Sequence, residues 1–255
     1  ATRLTDPEGK KALKEDAKQE TKKVAYKATI LEKPEGAQRP TKLTRTYEKA
    51  RVTAGGKERT LPYEGKSVLI EKKGDRYQFK IEGGEELTGK DAEELNKEFN
   101  RKDNTDTEEL KKLLIPKAPV AAGGTWKLDM AAVAKELSKG GGPVIDASKA
   151  KGTGKLVKAY RKDGKQYGVM EFDLDLPVTE MPIGPMTLPL EAGSKLTIRM
   201  TVDGCIDGTD FSYRMKGDLG MKLSGVLKKD DTPVAKLFLD MRITGDESRK
   251  ELAKQ

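Results

Sequence analysis

Apolar and polar side chains alternate with a period of two over much of the chain, most sharply in its C-terminal half. Met170, Phe172, Leu174 and Leu176 share one parity while Glu171, Asp173 and Asp175 take the other, the pattern of a strand with one buried and one wet face. Leu196, Ile198, Met200 and Val202 repeat it, as do Phe211, Tyr213 and Met215 after the Asp207-Gly208 turn, then Leu219, Met221 and Leu223, and finally Leu237, Leu239, Met241 and Ile243. Leu156 to Arg161 and Tyr167 to Leu176 flank Asp163-Gly164, a short hairpin signal. Pro182, Pro185 and Pro189 interrupt the pattern and predict an edge or rim segment there, and the charged residues after Gly245 predict a frayed end.

The same period marks the first third. Val24, Ala28 and Ile30 around Tyr26, then Leu43 to Tyr47, Ser67 to Glu71 and Tyr77 to Ile81 read as strands, the last two joined at Gly74-Asp75. Residues 1–21 carry only Leu4 and Leu13 as large apolar side chains, so they predict a flexible charged tail. Helical spacing appears in between. Ala92, Leu95 and Phe99 follow Thr88 to Asp91. Leu110, Leu113 and Leu114 follow the capping box Thr105-Asp106-Thr107-Glu108 and stop at Pro116. Met130, Val133, Ala134 and Leu137 follow the cap residue Asp129 and stop at Gly140-Gly141-Gly142-Pro143.

These elements predict a mainly β (α+β) fold: an antiparallel curved sheet or half-barrel of about 9–11 strands, its apolar face covered by two or three short helices. The organisation expected is a tail over 1–21, an N-terminal β half over 22–115 and a C-terminal β-meander half over 116–255, joined as one continuous domain.

The stretch between the halves carries a resemblance. Pro116, Pro119, Val120, Gly124 and Trp126 resemble the Pro, Val, Gly, Trp crossover of a family of exported bacterial β-rich proteins of unknown function. The resemblance implies a β-rich fold and a place in the periplasm, the cell envelope or outside the cell, and it brings no catalytic residue with it. Ala1 without an initiator methionine fits a mature exported protein or a trimmed chain.

Composition then narrows the chemistry. The 255 residues contain no histidine and one cysteine, Cys205. General-base, metal-ligand and nucleophile chemistry near neutral pH leans on those two side chains, and a lone cysteine forms no internal disulfide. Lys and Arg total 50 against 42 Asp and Glu, a net charge of +8, but the surplus is dispersed and aromatics make up only 5 %. Nucleic-acid surfaces cluster their cations and interleave them with stacking rings, so no nucleic acid is expected as partner. No window is apolar and long enough for a membrane-spanning helix.

Motifs that would replace imidazole chemistry fall short. Gly152-Thr153-Gly154-Lys155 looks like the end of a phosphate loop, but Lys149 stands where the first glycine belongs and Leu156 where Ser or Thr would meet magnesium. Ser148-Lys149-Ala150-Lys151 has the spacing of serine acylases without their other elements. Asp203, Asp207 and Asp210 match no calcium loop and read as turn residues. Asp173 and Asp175 are the pair a carboxylate-dependent hydrolase would need. Cys205 reads as a small buried hydrophobe and Trp126 as a packing anchor for the crossover. No catalytic residue, metal site or cofactor is expected.

One distribution points somewhere positive. All eight methionines follow the crossover, seven of them from Met170 onward, several on apolar strand faces, and methionine adapts to irregular apolar shapes. The expected function is a non-catalytic binding or carrier module for a lipid or other hydrophobic small molecule, its site formed by Met170, Phe172, Met200, Phe211, Tyr213, Met215, Met221 and Met241. A structural or protein-interaction module of the envelope is the alternative, and a carboxylate hydrolase the second.

Overall fold

The computed structural model describes residues 1–35, 37, 39–100, 107–183, 186–210, 212–229 and 232–250. The chain divides into two compact units, one over residues 17–103 and the other from residues 1–16 with 104–255. The smaller unit is thus inserted into the sequence of the larger one.

The chain opens with β1 (Thr2–Thr5) and β2 (Ala12–Asp16). β1 pairs antiparallel with the last strand of the chain, Thr2 opposite Leu239 and Thr5 opposite Lys236, and β2 pairs with β1. The expected flexible tail is therefore two strands at the margin of a sheet. Its residues are polar because most of them stay exposed, and backbone pairing holds them where a hydrophobic face would not. Thr5 alone is fully buried.

The smaller unit contains β3 (Glu20–Glu32), β4 (Lys42–Ala54), β5 (Lys57–Thr60), β6 (Ser67–Lys73), β7 (Arg76–Ile81) and helix α1 (Glu93–Phe99). Its sheet runs β3-β4-β6-β7, with β5 beside β4. Tyr47, Tyr63, Val68, Ile70, Phe79 and Leu95 fill its core, since the alternating residues of β4, β6 and β7 face one side where Leu95 and Phe99 of α1 join them. Arg45 lies on that side too. Its guanidinium sits 4.0 Å from the Tyr26 ring and 4.7 Å from the Phe99 ring, and it pairs with Glu98 at 2.8 Å. Cation–π contacts and an ion pair together offset the loss of water at a buried cation.

The larger unit continues with α2 (Thr107–Leu114), β8 (Thr125–Lys127), α3 (Met130–Leu137), β9 (Val144–Ile145), β10 (Lys151–Lys162), β11 (Lys165–Ile183), β12 (Met186–Pro189), β13 (Lys195–Cys205), β14 (Tyr213–Lys229) and β15 (Thr232–Arg249). Its sheet is ordered β2-β1-β15-β14-β13-β11-β10-β8, with β9 and β12 attached to β11 off that path. Among the described residues the fold is mainly β, antiparallel, not closed into a barrel, with three short α-helices, as the alternation predicts.

Three organisational expectations change. Two sheets, of ten and five strands, replace the single continuous one, because each has its own helices to bury its apolar face: α1 in the smaller core, α2 and α3 in the larger. Leu110, Leu113 and Leu114 of α2 join the larger core, so α2 belongs to the larger unit and the expected division at 115/116 moves upstream. The end after Gly245 is not frayed, for β15 stays paired with β14 to Arg249. The capping box at 105–108 lies mostly outside the described residues. Asp129 caps α3 as its position predicts, its side chain accepting from the Ala132 N–H at 3.0 Å.

Candidate functional site

Register places the methionines in ordered rows. In antiparallel strands, residues directly opposite share a face, so each row can be followed across β11, β13, β14 and β15. One row is Leu176, Leu196, Met221 and Met241, the next Leu174, Ile198, Leu219 and Ile243. Then come Phe172, Met200, Gly217 and Gly245, and after them Met170, Val202, Met215 and Glu247. The four strands thus present one apolar face, and six of the eight expected site residues stand in these rows.

Burial falls steadily along that face. Phe172, Leu174, Leu176 and Leu196 are buried, in one cluster with Leu110 and Leu113 of α2 and Met130, Val133 and Leu137 of α3. Met170, Met200, Met215, Met221 and Met241 are half-buried. Ile243 on β15 is 53 % exposed, a large cost to leave in water when burying such a side chain contributes about 1.5–3 kcal/mol.

The third row contains the site's most distinctive feature. A Cβ added at Gly245 would meet nothing within 4 Å, and one at Gly217 only the Arg199 carbonyl at 4.0 Å. Two adjacent strands therefore carry no side chain in the middle of an apolar face. The result is a trench floored by Gly217 and Gly245 and bordered by Leu219 and Ile243 on one side and by Met215 and the charged Glu247 on the other, with Met200 at its inner end. Glycine usually weakens a strand, and neither of these has the positive φ that would demand it.

The other expected residues divide. Phe172 is buried and serves packing: it meets Trp126 edge to face at 5.9 Å, while the indole N–H donates to the Leu114 carbonyl at 2.9 Å. Tyr213 shares the face of Met215, one row beyond it, and its hydroxyl donates to Glu247 at 2.5 Å, giving that end of the face a polar rim. Phe211 lies outside the described residues.

Gly152 and Gly154 belong to β10 and face the core. A Cβ at Gly154 would stand 2.2 Å from the Trp126 ring, and one at Gly152 2.3 Å from the Met130 sulfur. The Gly-Thr-Gly-Lys segment is thus a strand thinned to admit an indole and a thioether. In the Ser148 segment, the Ser148 hydroxyl donates to Asp146 at 2.5 Å and Lys149 pairs with the same carboxylate at 2.8 Å.

Asp173 and Asp175 point to the opposite, charged face, where both pair with Arg199, at 2.8 and 3.4 Å. A cleft of about 470 Å³ on that face is lined by charges of both signs. They largely neutralise one another there, Arg242 with Asp218 and Lys222 with Asp240.

The Asp cluster is turn chemistry. Asp207 accepts from the Cys205 thiol at 2.9 Å, the Gln166 N–H at 2.6 Å and the Thr209 N–H at 3.0 Å, and the thiol leads the hydrogen bonds that hold its carboxyl well below the usual range. Asp210 accepts from Lys165 at 3.0 Å and Tyr167 at 2.9 Å, Asp203 from Tyr160 at 2.7 Å. Cys205 is half-buried and hydrogen-bonded where a core hydrophobe was expected. Among the described residues no group of three acidic or sulfur side chains is placed to hold a metal ion.

Comparison of the chain with family models, curated proteins and solved structures returns no match.

Proposed function

We propose that this protein is a non-catalytic binding or carrier module for a hydrophobic ligand of the acyl-chain class, acting in the cell envelope or outside the cell. The observation that carries the reading is the trench over Gly217 and Gly245. An apolar face with two adjacent glycines in one row, bordered by Leu, Ile, flexible Met and, at its outer corner, Glu247, offers an open and adaptable strip that an alkyl chain can follow. Tyr213 and Glu247 at one margin supply the few polar groups that fix orientation. The envelope location rests on the Pro116 to Trp126 crossover alone.

Substitution separates ligand binding from folding. Neither glycine has a strained backbone and both have open space above Cα, so Gly217→Val fills the trench while raising strand propensity. We expect Gly217→Val to melt no lower than the parent chain and to bind a fluorescent fatty acid at least about tenfold more weakly. Native mass spectrometry of the protein from its own host is expected to show an added mass in the lipid range. Equal binding by parent and variant, or no bound mass and no binding of the probe, overturns the reading.

A further inference from the structure

The last strand leaves a long edge uncovered. β15 pairs with β14 along its whole length, but β1 covers its other side only from Lys236 to Leu239. The last contact on that side is at Asp240, whose N–H donates to the Ala1 carbonyl at 2.9 Å and whose carbonyl accepts from the Ala1 amino group. Asp240 thus directs its backbone groups outward, and by the two-residue period so do Arg242, Thr244, Asp246 and Ser248. No strand meets them among the described residues, and Arg242 to Arg249 are all exposed.

Natural sheets blunt such edges with lysine, proline or bulges. The other open margins here follow that rule: Lys14 stands on β2, and Lys22, Lys23 and Lys27 on β3. From Met241 to Arg249 there is neither lysine nor proline, and the pairing with β14 shows no register shift there. This edge is regular and unpaired among the described residues, its guards limited to the charges of both signs on Arg242, Asp246, Glu247 and Arg249.

We propose that the β15 edge pairs antiparallel with the same edge of a second copy, with the two-fold axis at Gly245. That register uses the whole free edge and sets Met241 opposite Arg249, Arg242 opposite Ser248, Ile243 opposite Glu247 and Thr244 opposite Asp246. No like charges stand directly opposite each other, and Arg242 lies diagonal to the second copy's Asp246 on one side and to its Lys250, past the strand's end, on the other. Moving the axis to Thr244 drives the second copy's Ser248, still within β15, into the place held by Ala1, a place that the Gly245 register brings only against Lys250, past the strand's end. Moving it to Asp246 puts Asp246 opposite itself and Arg242 opposite Lys250. The outward groups of the four even-numbered residues would form about eight interchain backbone hydrogen bonds, two per narrow pair.

The same register joins the two apolar faces. Residues opposite one another share a face, so the row Met200, Gly217, Gly245 continues into Gly245, Gly217 and Met200 of the second copy. Each exposed Ile243 gains a neighbouring strand, and the trench runs unbroken across the axis. Its use by one longer or two opposed acyl chains rests on the ligand reading above, whereas the strand pairing does not.

Cross-linking tests the register. In a non-hydrogen-bonded pair the two Gly245 Cα atoms would stand about 4.5 Å apart, within the range a disulfide spans, whereas two Ser248 Cα atoms would be roughly 20 Å apart. With Cys205→Ser as background, the full chain carrying Gly245→Cys is expected to oxidise to a covalent dimer, and the chain carrying Ser248→Cys is not. Light scattering of the unsubstituted chain over a concentration series is expected to show a monomer–dimer equilibrium. Thr244→Pro removes an outward N–H while sparing the bonds to β14, and should weaken association about tenfold or more. A chain that stays monomeric at every concentration, cross-linking of Ser248→Cys as fast as Gly245→Cys, or a dimer indifferent to Thr244→Pro overturns the proposal. A dimer that passes these tests yet binds no fatty acid would leave the pairing standing and remove only the ligand reading.

Discussion

A few glycines and the indole they accommodate decide most of the larger unit's local geometry. Trp126 reaches Phe172 only because Gly154 between them has no side chain, a Cβ there falling 2.2 Å from the ring. Gly154→Ala must push the indole aside, and overpacking of this kind costs about 1–3 kcal/mol; a lowered melting temperature with a shifted Trp126 fluorescence maximum is the expected outcome. Phe172→Ala removes the other side of the same contact and should cost about 3–5 kcal/mol, measured by urea unfolding. In the sequence, Trp126 is legible as an anchor, but Gly152 and Gly154 resemble a failed phosphate loop, because nothing local shows which large side chain a strand glycine makes room for. Gly217 and Gly245 are harder still. They floor one trench only through a cross-strand register, and register is a property of two strands.

Among the elements, the long alternating strands are legible and the short polar ones are not. β11, β13, β14 and β15 announce themselves by parity, and the rows of Met, Leu and Ile emerge once they are laid side by side. β1 and β2 carry no comparable signal because they pair at a margin, where backbone hydrogen bonds act without a hydrophobic face. Their pairing makes a specific prediction. With Asp240 bonded outward to Ala1, the amides of Arg3 and Thr5 face β15, so both should exchange with deuterium far more slowly than the neighbouring loop amide of Glu8. Uniformly fast exchange over residues 1–16 would mean that this segment is the tail its composition suggests. Helix α2 shows the same limit from another side: its apolar stripe is plain in the sequence, but which of two cores receives Leu110, Leu113 and Leu114 depends on the division of the chain into units.

No side chain of the molecule titrates between about pH 6 and 7 by its ordinary value, since histidine is absent. Its stability should instead change at the two ends of the pH scale. Asp146 is held at about 2, chiefly by Lys149, and Asp207 and Asp210 are held below their ordinary range. A carboxylate lowered on folding stabilises fully above its unfolded value near 4, and that contribution is lost as the pH falls through the folded value. Burial pushes Tyr47 up to about 12, so its contribution is present below about 10 and lost as the pH rises through the folded value. The melting temperature should therefore be flat between roughly pH 5.5 and 7 and fall towards the acid and the strongly alkaline ends; a step between about 6 and 7 would reveal a perturbed carboxylate and reopen a catalytic role. Uptake of an acyl chain by the methionine-lined face can be followed with methionine methyl groups carbon-13 labelled and assigned by single substitution. On titration with a medium-chain fatty acid, the Met200, Met215, Met221 and Met241 signals should shift together and saturate, while Met186, which lies off this face and is 62 % exposed, stays in place. Unmoved signals, or equal drift of all the methionines, would contradict it.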